Sequence, residues 1–189
     1  MKTWSKWMAL AVSLALAVSL AACSNGSGAQ NSAPAGYEKS VVGICQLLPH
    51  AALNEATQGF KDAVTEALGD AVEIKEGNAG GESANCATII DGFIAEKVDL
   101  ILANATPSLT AAASATDTIP ILGTAVTNYG IALNLDTTED KVLGGNISGT
   151  SDLAPLDQQA AMVQELFPDA KNVGLVYCSA EANSLYQVE

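Results

Sequence analysis

Hydroxyls and amides gather in four short stretches of this chain. Gln46 stands before "LLPH", Thr106 and Ser108 lie in "NATPS", Thr124, Thr127 and Asn128 in "TAVTN", and Ser179, Asn183 and Ser184 in "CSAEANS". Each stretch follows an apolar run, and ionised side chains are few in all of them. Groups of this kind hold a neutral or zwitterionic small molecule by hydrogen bonds. They also make turns and helix caps, which is the competing reading of every one of these stretches. The chain has eight lysines and no arginine, so a ligand carboxylate would have to be held without a guanidinium fork. Hydroxyls, backbone N–H groups and helix N-termini remain for that task. Thr106 is expected to cap a helix that Pro107 begins, leaving the amides of Ser108 and Leu109 free to face an anion.

Other chemistries fare worse. "GNAGGES" (Gly77 to Ser83) has the glycines of a phosphate loop but neither its Gly-Lys-Ser/Thr ending nor its lysine, so a turn is expected there. Cys45 and His50 could pair as thiol and base, yet five residues separate them and no third group is evident to orient the imidazole. No nucleophile–base–orienter set emerges, so no catalytic residue and no enzyme activity is expected. With one histidine and no C-x-x-C spacing, no metal site and no cofactor is expected either. Of the cysteines beyond Cys23, namely Cys45, Cys86 and Cys178, one pair could bridge and leave one over, or all three serve as small buried hydrophobes.

The net charge of −13 leaves no basic face for phosphates, which argues against a nucleic-acid partner. At 49% hydrophobic residues the chain can bury a sizeable core. The start, "MKTWSKWMALAVSLALAVSLAAC", has the charged, apolar and small-residue zones of a secretory signal over residues 1–22. Leu20-Ala21-Ala22-Cys23 resembles a bacterial lipobox, which implies lipidation of Cys23 and anchoring outside the cytoplasmic membrane. Residues 23–37, rich in Ser, Gly, Asn and Ala, read as a flexible tether.

From Ser40 onward, short apolar β-rich runs alternate with amphipathic segments. "SVVGICQ", "AVEIKE", "VDLILA" and "IPILGT" read as strands. "NEATQGFKDAVTEAL" reads as a helix capped by Asn54 and stopped at Gly69, and "ESANCATIIDGFIAE" and "PSLTAAASATD" as further helices. "GIALN" and "GGNISGT" are expected as additional short strands. Near-continuous apolar strands joined by helices imply an α/β fold with a doubly wound, mostly parallel sheet, whose ligands sit beyond the carboxyl ends of the strands. Residues 38–151 form one lobe of this kind. Residues 152–189, with the helix "APLDQQAAMVQELF" and the apolar run Val173–Tyr177, begin a second lobe that is only started, so the sequence reads as the first part of a two-lobe protein.

"VGICQLLPHAALNEATQGFKDAV", "KVDLILANATPSLTAAASATDTIPILGTAVTN", "GGNISGTSDLAPLDQQ" and "NVGLVYCSAEANS" together resemble the ABC-transporter substrate-binding lipoproteins of the tryptophan/tyrosine-binding type. The resemblance implies a periplasmic-binding-protein fold of two lobes. It implies an extracytoplasmic, lipid-anchored protein that closes on an amino acid and hands it to a membrane permease. It places the first-lobe contacts at Gln46, Thr106 and Thr127, with Thr124 and Asn128 nearby, and the second-lobe contacts at Ser179, Asn183 and Ser184. The chain departs from the family pattern at Leu48-Pro49-His50, at Asn128-Tyr129 and at Cys178, where Glu-His-Pro, Asp-Pro and Asn are common. A sensing module with the same fold is the alternative role.

Overall fold

The structure is a computed structural model and describes residues 39–135 and 145–188. The signal, lipidation and tether expectations for residues 1–22, Cys23 and 23–37 lie outside them.

Five strands form one sheet: β1 (Ser40–Gln46), β2 (Val72–Asn78), β3 (Leu100–Asn104), β4 (Ile121–Val126) and β5 (Ile147–Ser151). Their order is β2-β1-β3-β4-β5, and every neighbouring pair is parallel. The chain steps from β1 outward to β2 and then returns past β1 to build β3. The β1–β3 boundary is therefore the point where winding reverses, and a crevice opens beyond the carboxyl ends of these two strands.

Strand alternation distributes the core. Val42, Ile44 and Leu102 point to one face, where Phe60 of helix α1 (Ala51–Leu68) covers them. Cys45, Ile101, Ala103 and Ile121 point to the other face, under α2 (Ser83–Ala95) and α3 (Thr106–Ala115), against Ile90, Phe93 and Leu109. The central strands are buried on both faces, which is why they read as unbroken apolar runs. Gly43 lets α2 come close: a Cβ there would lie 2.6–2.7 Å from the Phe93 ring. At the β2 edge, Lys75 pairs with Glu96 at 2.5 Å and Lys61 with Glu76 at 2.5 Å, and charge of this kind blunts an open edge.

Three expected elements differ. Helix α1 starts at Ala51, three residues before the expected cap Asn54. The extended His50 caps it instead, its Nδ1 accepting from the Ala52 amide at 3.2 Å. Gly69 does end the helix, with φ 53° and its amide on the Thr65 carbonyl. "GIALN" is not a strand. Tyr129–Ala132 forms the short helix α4, because Asn128 Oδ1 accepts from the Ile131 amide at 3.0 Å and turns the chain. Val173–Tyr177 also forms no strand. It lies between α5 (Leu156–Leu166) and α6 (Ala182–Val188), with Val176 fully exposed, and no described strand offers it a ladder. An apolar run without a neighbour has no partner for its backbone groups.

Candidate functional site

The carboxyl ends of β1 and β3 are tied by a chain of side-chain hydrogen bonds. Gln46 and Asn104, the last residues of these strands, are register partners. Thr57 of α1 bridges them: its hydroxyl donates to Gln46 Oε1 at 2.7 Å and accepts from Asn104 Nδ2 at 2.9 Å. Asn104 Nδ2 also donates to the Leu53 carbonyl at 2.8 Å. Gln46 Nε2 donates to the Leu48 carbonyl at 2.8 Å and to Asn54 Oδ1 at 2.7 Å. The Gln46 amide, expected as a ligand contact, thus has both N–H bonds committed inside the lobe. It shapes the loop at 47–50 and anchors the start of α1.

"GNAGGES" is the turn the sequence predicted. The Ala79 and Gly81 amides donate to the Gln46 and Leu47 carbonyls at 2.9 and 2.8 Å, so these N–H groups close the end of β1 and are not open to a phosphate. His50 is spent as a cap and Cys45 is buried in the core, which separates that pair.

After β3 the backbone takes a strained path. Ala105 has φ 93° and ψ 156°, a conformation close to glycine-only territory, and it is the N-cap of α3. Thr106 is therefore the first helical residue and not the cap, and Pro107 is the second. The Leu109 amide is not free, since it donates to the Ala105 carbonyl at 3.1 Å. The open amides of the first turn are those of Thr106 and Ser108, which find no acceptor among the described residues. The Thr106 hydroxyl is buried and has no hydrogen-bond partner among the described residues. A buried polar group left in that state costs about 1–3 kcal/mol, so its retention at a helix N-terminus asks for a partner.

The Ser108 side chain, expected at the ligand, points into the core. Its Oγ lies 3.7 Å from Cys45 Sγ and 3.5 Å from Cys86 Sγ. At N3 of a helix that packs on a sheet, the side chain falls on the sheet-facing stripe, which the expectation did not consider.

Within β4 a second irregularity occurs. Ala125 has φ 52°, and the β4–β5 register slips between Gly123 and Val126. Thr124 lies within the slip and lines a 450 Å³ cavity on the α1 face with Phe60, Leu122 and Thr150. Thr127 is buried. Its carbonyl accepts from Ser151 Oγ at 2.8 Å and its hydroxyl from Gln187 Nε2 at 3.4 Å. Asn128 is the α4 cap described above.

The segment 180–188 borders these strand ends. Ala180, Glu181 and Ala182 close one side of a 640 Å³ groove whose other walls are α2 and α3, Thr106 included. Gln187 reaches Thr127, and Asn183 Oδ1 is buried without a partner among the described residues. Ser179 is exposed in the turn before α6, and Ser184 is half-buried with its amide on the Glu181 carbonyl at 3.1 Å. The structure thus sets Thr106 in the wall of the 640 Å³ groove, Thr127 against Gln187 of α6 and Thr124 at the cavity on the α1 face, commits Gln46 and Ser108 to contacts inside the lobe, and uses Asn128 as a cap. Thr57, Asn104 and Gln187 were missed by sequence reasoning, and Asn54 was read only as a helix cap. Polar residues at 54 and 57, three apart on an otherwise apolar helical stripe, were the signal for two of them.

A model of the ABC transporter substrate binding protein family matches residues 41–189. The chain belongs to this family. The tyrosine-binding protein of Clostridioides difficile is 35% identical to this chain over 195 residues, covering 97% of it and 55% of the relative. A conserved domain protein from Vibrio cholerae superposes with a TM-score of 0.73 at 34% identity, over 80% of this chain and 51% of that one. A Streptococcus pneumonia ABC domain in complex with L-Trp gives a TM-score of 0.73 at 33% identity, over 80% and 51%. A ligand-free, open substrate-binding protein with adhesive properties from Clostridium difficile gives 0.62 at 37% identity, over 79% and 51%. The chain spans about half the length of the relatives it matches, and its five-stranded parallel sheet corresponds to one lobe of these folds.

Proposed function

We propose that this protein is the extracytoplasmic solute-binding component of an ABC import system, held at the membrane by a lipid on Cys23. Its solute is an amino acid of the aromatic class, bound between two lobes and delivered to a permease. The observation that carries the reading is the unpartnered, buried Thr106 hydroxyl at the N-terminus of α3, beside the reversal point of the sheet. A ligand carboxylate is suited to that place: the first-turn amides and the positive end of the helix favour an anion, and no arginine competes for the role. The orphaned Asn183 Oδ1, on the segment of the second lobe, is suited to accept from a ligand N–H. The relatives named for tyrosine binding and solved with L-Trp support the solute class. Contacts from both sides favour a closed state only when ligand is present, which is how binding would drive closure.

Calorimetry with L-tryptophan and L-tyrosine tests the proposal. The intact protein is expected to bind at least one of them. Thr106→Ala is expected to weaken that binding by about 1–2 kcal/mol, roughly 5–30-fold. Unchanged affinity in the variant removes Thr106 from the site, and no binding of either amino acid by the unmodified protein removes the solute class.

A further inference from the structure

Beneath the start of α3 lies a cluster that ligand binding does not use. Cys45, near the end of β1, and Cys86, in the first turn of α2, are both free thiols with no solvent exposure. They share one neighbour, the Ser108 hydroxyl, at 3.7 and 3.5 Å, and Ser108 is itself fully buried. Interaction with the Cys86 thiol, followed by burial, pushes Cys45 up, and the same interaction pulls Cys86 down. Two thiols that share one buried hydroxyl are placed for thiol–disulfide exchange. Elsewhere on the molecule, Cys178 is exposed and remote from this cluster in the chain.

We propose that Cys45 and Cys86 are a disulfide-forming pair that staples α2 to β1 under the floor of the crevice. The co-reactant is a disulfide oxidant of the glutathione or dithiol-oxidase class, which an extracytoplasmic location supplies; in that respect the inference rests on the function proposed above. Either thiol, once ionised, attacks the oxidant RSSR, forming a mixed disulfide and releasing RS⁻. The other sulfur then displaces the second RS⁻, forming Cys45–Cys86. Two thiols are oxidised, one RSSR is reduced to two RSH, and the two thiol protons end on the released thiols. Because both sulfurs are buried, the exchange takes place during folding, before α2 closes over β1. The bond joins positions in sequence-distant elements and constrains the unfolded chain across the loop they enclose. It also replaces the thiol contacts of Ser108, which sits in the first turn of α3, so oxidation state reaches the crevice through that helix.

The test is refolding of the intact protein with and without oxidised glutathione, followed by thiol counting in denaturant, peptide mapping without reduction, and thermal melts. With oxidant, the expected result is two fewer thiols and a cross-linked peptide pair containing Cys45 and Cys86. Tm should rise and return to its former value on adding dithiothreitol. Cys45→Ser and Cys86→Ser should each abolish the cross-link and the reversible shift in Tm. Recovery of Cys45 and Cys86 as free thiols, as mixed glutathione disulfides, or joined to Cys178 overturns the proposal. These readouts need no ligand, so a failure to bind amino acids would not be confused with a failure of the thiol pair.

Discussion

Thr57 shows how one hydroxyl can organise a strand end. Its oxygen donates to Gln46 and accepts from Asn104, so a single side chain on α1 sets the orientation of two amides on two strands. Thr57→Val keeps the shape but leaves Gln46 Oε1 and one Asn104 N–H without partners in a buried setting. It is expected to cost about 1–3 kcal/mol of stability in denaturant unfolding, while Thr57→Ser retains most of it. Tyr129 makes a second prediction at this scale. Its hydroxyl donates to the Thr150 carbonyl at 3.1 Å, and burial pushes its ionisation from 10.0 up to about 12. The unfolded chain ionises first, so the folded state holds the proton more tightly. The Tyr129 contribution to stability is complete below pH 10 and is lost as pH rises from there through about 12. Melts of the unmodified protein and of Tyr129→Phe, compared across that range, should converge as pH rises. A constant gap would show that Tyr129 does not titrate in this way.

Helices approach this sheet where glycines make room. Tyr129 of α4 lies over Gly123 and Gly149, which are register partners on β4 and β5, and Gly149 has φ 157° and close backbone neighbours. Phe93 of α2 occupies the space above Gly43 in the same manner. Gly43→Ala pushes a methyl into the Phe93 ring, and overpacking of this kind is expected to destabilise by about 1–3 kcal/mol. Pairing the change with Phe93→Leu should recover part of the loss in chemical denaturation. Absence of any recovery would mean that the contact is not what limits α2. The spans of β1, β3, β4 and α2 were legible in the sequence because apolar period alone sets them. The start of α1 was not, since His50 and Asn54 are both able to cap and the choice depends on Gln46 claiming the Asn54 side chain.

Across the whole molecule, order is uneven. Residues of β1, β3 and β4 are buried on both faces, whereas α5 and the run 171–178 are largely exposed, with Leu166, Phe167, Leu175 and Val176 open to solvent. Limited chymotrypsin digestion of this chain is therefore expected to cut between Phe167 and Tyr177 first and to leave a protected fragment spanning β1 to β5. Early cleavage at the buried Phe93 would contradict the described core. Composition and period by themselves determined an α/β lobe with a doubly wound, parallel sheet. That property follows from local spacing, which survives without knowledge of neighbours. Only the tertiary structure decided that Gln46 is consumed by Thr57 and Asn54, that Ser108 faces two thiols, and that Val173–Tyr177 forms no strand. Each of these depends on which groups arrive from distant parts of the chain. A hydrogen bond or a β-ladder is a property of two partners, and a one-dimensional pattern names only one of them.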